Sequence, residues 1–201
     1  MTENNGKEKV SFRYLKIQEK LGWIHMKQTK TYKMVLAGIF MAIGMVLPFL
    51  TAQLPSIGNM LLPMHIPVLL CGFICGAPYG CIVGLIVPLL RSATMGMPPM
   101  FPTGIAMAFE LAIYGFVTGF MYKRMRHGIV AIYVSLLSAM MIGRVAWGVV
   151  RLVLAGVSGS TFTAAAFLAG AFTTAIPGII LQLILIPIII AALERAGFLK
   201  E

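Results

Sequence analysis

Charge is what this sequence has least of. Only 11% of its 201 residues are Asp, Glu, Lys or Arg, against roughly a quarter in ordinary soluble domains, so most of the chain is not built to face water. Acidic groups are scarcest, six against sixteen Lys and Arg. Eight of those sixteen fall within the first 33 positions, so the +10 balance belongs mainly to a tail. No basic groove interleaved with aromatics follows, which points to a membrane surface rather than to nucleic acid. The three cysteines, Cys71, Cys75 and Cys81, sit in apolar segments with no His or Asp at ligand spacing. They read as buried thiols, and no metal or cofactor is expected. No G-x-x-x-x-G-K-[ST] string occurs, so ATP hydrolysis by a P-loop is excluded for this chain. A cleaved signal peptide is not expected either, because the first apolar run, beginning near Tyr32, is too long for one.

What the chain does have is hydrocarbon in long runs. Hydrophobic residues make up 59% of it, and at roughly 20 apolar residues per crossing six candidate spans emerge: 32–50, 61–76, 79–90, 104–122, 130–157 and 164–193. The expected fold class is all-α, an integral membrane bundle of six transmembrane helices at 32–195. A basic cytoplasmic or interfacial tail precedes it at 1–31, and a short C-terminal tail follows at 196–201. The second and third spans are short and joined only by Ala77 and Pro78, which leaves a tight hairpin and a partly re-entrant pair both open. The fifth and sixth are long and should tilt or project. Lys and Arg set the orientation: the tail and the "YKRMRHG" link, with Lys123, Arg124 and Arg126, belong in the cytoplasm. Both termini are then cytoplasmic, and the outward loops 51–60, 92–103 and 158–162 hold no lysine. Within the tail, "SFRYLKIQEKLGWIHMK" has the composition of a helix lying at headgroup level, with a solvated tether as the alternative.

Small residues recur at helical spacing, which matters because close packing is the main way helices associate in lipid. Gly72, Gly76, Gly80 and Gly84 form three successive G-x-x-x-G frames, Gly115 and Gly119 a fourth, and Gly38 with Ala42 a small-residue face on the first span. Internal packing is the plain reading, and docking of another membrane protein the sharper one. Pro48, Pro67, Pro88, Pro177 and Pro187 interrupt the spans and should kink them.

Few charges lie inside the spans, and such groups mark either internal pairs or function. They are Glu110, Arg144 and Arg151, with Arg91 and His65 near span ends. At about 1.5 Å of rise per residue, Glu110 lies roughly 10 Å and Arg151 about 9 Å below the outer surface, in one layer with Arg91 and His65. Arg144 is deeper but shares a helical stripe with Trp147 and Arg151. A Glu110–arginine pair tying two spans together is the bland account. One carboxylate cannot neutralise three guanidinium groups, however, and two positive charges are left over. Such a layer suits a carboxylate or phosphate held bidentately, with Trp147 and Tyr114 supplying faces for an apolar body. The outer stretch "MGMPPMFP", with Met97, Pro98, Pro99 and Phe101, is then expected to be a semi-rigid lid hinged at Arg91. An ordinary stiff loop is its plain alternative.

Three function classes follow. "GVSG", Gly156 to Gly159, matches the G-x-S-G of the rhomboid intramembrane serine proteases. A nucleophile needs a base within reach, and no histidine follows Ser158, so this class is remote. A solitary secondary transporter coupled to protons through Glu110 is a closer alternative, although no repeat relates the two halves.

The style of "LPMHIPVLLCGFICGAPYG", "PLLRS" and "FPTGIAMAFELAIYG" resembles the substrate-binding (S) components of energy-coupling factor vitamin transporters, over residues 33 to about 195. That resemblance implies a non-enzymatic subunit in the plasma membrane of a prokaryote. Such a subunit captures a vitamin-like nutrient from outside and works with a transmembrane coupling (T) protein and two ATPase subunits. It also implies that the bundle topples to release its cargo inward, that helices four to six and the outer loops form the pocket, and that an A-x-x-x-A face on helix one docks the coupling protein. Here the nearest match to that face is Gly38 with Ala42, since Met41 stands four residues after Ala37. Members assigned to pantothenate are most similar; folate is the next choice, and a neutral vitamin such as pyridoxine follows if the arginines have structural partners.

Overall fold

Thr29 starts the first helix. Its hydroxyl accepts the Tyr32 N–H at 3.3 Å, matching one of the donors a helix start leaves open. Helix α1 runs Lys30–Val46 and tightens into a 3-10 turn at Leu47–Thr51. Then come α2 (His65–Cys75), α3 (Ala77–Met95), α4 (Ile105–Arg124), α5 (Ile129–Ser158), α6 (Ala164–Leu168) and α7 (Ile176–Arg195). The computed structural model describes residues 29–51, 61–126, 128–196 and 198–199. The headgroup-helix expectation for 11–27 and most of the first outer loop lie outside them. All the regular elements among the described residues are helical.

Five segments are long and apolar enough to cross a membrane: Lys30–Phe49, Ala77–Met95, Met100–Arg124, Ile129–Ser158 and Ala164–Arg195. This is a multi-pass membrane bundle. The remaining helix, α2, has 11 residues, about 16 Å of rise, too short to span alone. Every residue of α2 except Ile74 is buried, and α1, α3, α4 and α7 pack around it. A helix apolar on all sides belongs in a core, and protein rather than lipid covers its ends. The turn to α3 is made by Gly76 at φ 97°, a conformation that costs glycine little.

The glycine frames close this core. A Cβ on Gly72 would stand 2.6 Å from the Gly115 carbonyl oxygen, and one on Gly80 would stand 2.5 Å from the same atom and 2.7 Å from the Gly72 Cα. Gly84 abuts the Leu111 backbone, and Gly119 abuts Ala77. So α4 lies in the groove between α2 and α3, backbone against backbone, as small residues allow. The exception is Gly76, which has nothing within 4 Å of its would-be side chain and serves the turn.

Two expectations about the helices need correcting. Of the five prolines named above, only Pro88 and Pro187 sit in helix interiors, and Pro48 lies in the 3-10 turn after α1. Pro177 stands in the first turn of α7, where its missing N–H is no loss, and Pro67 is in the first turn of α2. The sixth span is also not one helix: α6 passes through a wide turn at Ala169–Thr173 before α7 begins at Ile176.

One end of the bundle gathers the starts of α1, α3 and α5 with the ends of α4 and α7. There the Tyr122 hydroxyl donates to Glu194 Oε1, which also accepts the Gly128 N–H at 3.2 Å. The Tyr79 hydroxyl reaches the Lys30 carbonyl at 3.4 Å. We call this the terminal end; Glu110, Arg91 and Arg151 lie toward the opposite one.

Candidate functional site

Glu110 and Tyr114 are one turn apart on α4 and share its inward face. Glu110 is 1% exposed. Arg144 Nη1 of α5 approaches its Oε1 to 3.1 Å, and Nε2 of His65, the first residue of α2, stands 3.8 Å away. The Tyr114 ring meets the His65 ring edge-on at 5.5 Å and lies against Gly143, where any side chain would collide with it. Gly143 thus makes the room that lets Tyr114 sit beside Arg144. Glu110 faces the start of α2, where the helix dipole is positive and favours an anion. The group is under-satisfied all the same. Both His65 ring nitrogens, Glu110 Oε1 and Arg144 Nε lack a directed hydrogen bond, so the Glu110–Arg144 contact is an ion pair rather than an aligned hydrogen bond. Buried polar atoms left in this state cost free energy that an incoming polar ligand would recover.

Two turns along α5 from Arg144, about 10.5 Å of rise, comes Arg151. Its guanidinium lies over the rings of Trp147 at 5.7 Å and Phe162 at 5.4 Å, a cation–π arrangement. Trp147 in turn meets Phe162 edge-on at 5.9 Å and stacks with Phe167 at 6.2 Å. Gly148 and Gly170 admit these rings: a Cβ at Gly170 would stand 2.7 Å from the Trp147 ring, and Gly148 lies against the ring of Phe167. The Arg151 Nε is buried without a hydrogen-bond partner, and no carboxylate among the described residues pairs with the group.

Arg91 does not join them. The expectation put it at the end of a span and at a lid hinge, but α3 continues to Met95 and stops at Gly96, φ 68°, the left-handed glycine that commonly ends a helix. Arg91 is 3% exposed. Its Nη1 donates to the Met45 carbonyl at 2.6 Å and lies 3.4 Å from Met95 Sδ, with the Phe49 ring 5.3 Å away. In the 3-10 turn that follows α1, the natural donor to Met45 would be residue 48, which is proline and has none. Arg91 supplies the missing bond and fastens α3 to α1. Its charge is not cancelled by that neutral acceptor, but its donor is engaged inside the protein, which leaves Arg151 as the arginine of the three without a polar partner among the described residues.

The stretch expected to form a lid is tightly tied. Ser92 Oγ donates to the Pro98 carbonyl at 2.6 Å, and the Gly104 N–H reaches the Pro99 carbonyl at 2.8 Å. Met97–Pro98 and Phe101–Pro102 are cis. Met97 and Pro98 are half-buried, Pro99 and Phe101 exposed, and the turn Met100–Gly104 packs against α3, α4 and α5. On α1, Gly38 and Ala42 are exposed, with open space around Gly38, whereas Ala37 is turned into the core. The Ser158 hydroxyl is engaged by the Ala155 carbonyl at 3.2 Å and by Ser160 Oγ at 2.8 Å, neither of them a base. The cysteines are free thiols, Cys71 and Cys75 buried and Cys81 half-buried.

Sequence reasoning missed Phe162, Phe167 and Gln182. The two phenylalanines follow the α5 stripe within a loop and a short helix. Gln182, on α7, is 1% exposed with its Nε2 unpartnered; a search for charges alone passes over it.

Residues 32–190 match the family model described as ECF transporter, substrate-specific component. Searches of the curated proteins and of the solved structures each gave no match.

Proposed function

The chain belongs to the substrate-specific components of energy-coupling factor transporters, and from that premise we propose that it captures a small anionic, vitamin-like nutrient at the outer face of a prokaryotic plasma membrane. Orientation follows from charge: Lys30, Lys33, Lys123, Arg124, Arg126 and Arg195 cluster at the terminal end, which belongs in the cytoplasm. The site then lies toward the outer face.

Arg151 carries the reading. It is a cation with aromatic faces on two sides, an unpartnered Nε and no carboxylate among the described residues to cancel it. Arg144 is held by Glu110 and Arg91 by the Met45 carbonyl, so one guanidinium, that of Arg151, is left open to a ligand. One open guanidinium suits a monocarboxylate, which favours pantothenate over folate with its two carboxylates. The carboxylate would take the guanidinium fork of Arg151, and Trp147 and Tyr114 would bound the apolar body. His65 and Arg144 offer the remaining donors, and the turn containing Met97, Pro98, Pro99 and Phe101 covers the mouth. Energy comes from a transmembrane coupling protein and two ATPase subunits, docked through the exposed Gly38 and Ala42 face of α1.

The test is binding of labelled pantothenate to the membrane-reconstituted chain. Binding at micromolar ligand is expected, and Arg151→Ala should weaken it about 30-fold or more, roughly 2 kcal/mol. No binding at micromolar ligand removes pantothenate; full affinity in Arg151→Ala removes the anion site.

A further inference from the structure

The terminal end of the bundle carries a recess separate from the proposed nutrient site. Between the start of α5 and the last turns of α7 lies a crevice of about 680 Å³. Its origin is in the sequence of α7. After the helix-interior Pro187, Ile188 closes the deep end, and beyond it α7 lines the crevice with Ala191, Ala192 and Ala196, whose methyl groups leave a gap opposite Ile129 and Tyr133 of α5. At its mouth stands Arg195, in the last turn of α7. Arg195 is exposed, and no carboxylate among the described residues is paired with it. Nearby charge has the same sign. Lys123 and Arg124 end α4 and Arg126 follows them, while Glu194 is turned to Tyr122 and Gly128.

A hydrocarbon-walled slot with a cation at its rim matches a molecule that joins a chain to an anion. From Pro187 to Arg195 the helix rises about 12 Å, from apolar depth to the level of headgroups. We propose that this crevice binds an anionic phospholipid, with one acyl chain along the Pro187–Ala192 wall and its phosphate on Arg195. Basic recesses between transmembrane helices suit such headgroups, and Lys123, Arg124 and Arg126 at the same end of the bundle add positive potential that disfavours a zwitterionic substitute. The inference rests on the fold alone and is independent of the nutrient.

Full-length protein in micelles containing equal phosphatidylglycerol and phosphatidylcholine, examined by native mass spectrometry, provides the test. One phosphatidylglycerol should be retained per chain in preference to phosphatidylcholine, and millimolar inorganic phosphate should not displace it. Arg195→Gln should lower retention about fivefold, and Ala192→Trp, which fills the slot, should abolish it. Equal retention of phosphatidylcholine, unchanged retention in Arg195→Gln, or displacement by inorganic phosphate overturns the proposal, the last by reassigning Arg195 to a soluble anion. If Ala192→Trp unfolds, Arg195→Gln decides alone, because its side chain is exposed.

Discussion

Arg91 and Arg151 stand in the same apolar bundle and read alike in sequence, yet their surroundings differ in kind. Arg91 has a backbone carbonyl, Met45 O, at 2.6 Å, freed by the proline that follows α1. Arg151 has only the faces of Trp147 and Phe162. A buried guanidinium whose donors meet an orphan carbonyl is a fastener. One that meets only aromatic rings keeps its charge-assisted hydrogen bonds for something else. What separates structure from binding is thus whether a neighbouring helix leaves an acceptor unmatched, not depth or residue type.

Arg144 lies between these cases, and breaking its pair should have the largest effect. Glu110→Leu strands a buried guanidinium and should cost about 3–5 kcal/mol of stability, seen as a fall in the thermal unfolding midpoint in detergent. The double variant Glu110→Leu/Arg144→Met should recover most of that loss. If it does not, the pair is not what holds α4 to α5. Next comes Arg91→Met, which removes a charged hydrogen bond and should destabilise by about 1.5–3 kcal/mol while leaving ligand affinity within twofold at temperatures where the variant is folded. Arg151→Ala should behave inversely, with its large loss in binding and a stability loss of about 1 kcal/mol, no more than its cation–π contacts supply. Were both arginines to affect stability alone, the contrast would collapse and with it the anion site.

The stripe Arg144–Trp147–Arg151 was legible because helical period alone assigns residues three, four and seven apart to one face. That Glu110 pairs with an arginine of the fifth span was legible too, since one carboxylate among apolar spans has few partners, but which arginine was not: the depth estimate sets Glu110 level with Arg151, and its partner is Arg144. The placement of Arg91 was not. The apolar run of the third span ends at Leu90, but the helix continues to Met95, and the partner of Arg91 depends on Pro48, distant in sequence. In the last span, unbroken apolarity hid the wide turn at Ala169–Thr173, because hydropathy reports solvent and not hydrogen-bond geometry. Only Pro177, a residue suited to a helix start, marked the break. The centrality of α2 is half visible: its shortness shows in the apolar run, but its burial against four other helices does not.

The smallest expected effect is at Phe162, and it sharpens the comparison most finely. Phe162 lies on the loop between α5 and α6, and its ring is within 5.4 Å of the Arg151 guanidinium. A cation–π contact is worth about 0.5–2 kcal/mol according to desolvation. If the ring only stabilises the empty protein, Phe162→Leu should lower the unfolding midpoint and leave affinity unchanged, because the loss falls equally on free and bound states. If instead the ring holds the guanidinium in the position an anion needs, affinity should fall about three- to tenfold with little change in the midpoint, and Phe162→Tyr should restore it. The second outcome is expected. Arg151 has no carboxylate among the described residues to orient it, so the ring is what fixes its approach. The corresponding change beside Arg91, Phe49→Leu, should leave binding untouched, since the Met45 carbonyl already fixes that guanidinium.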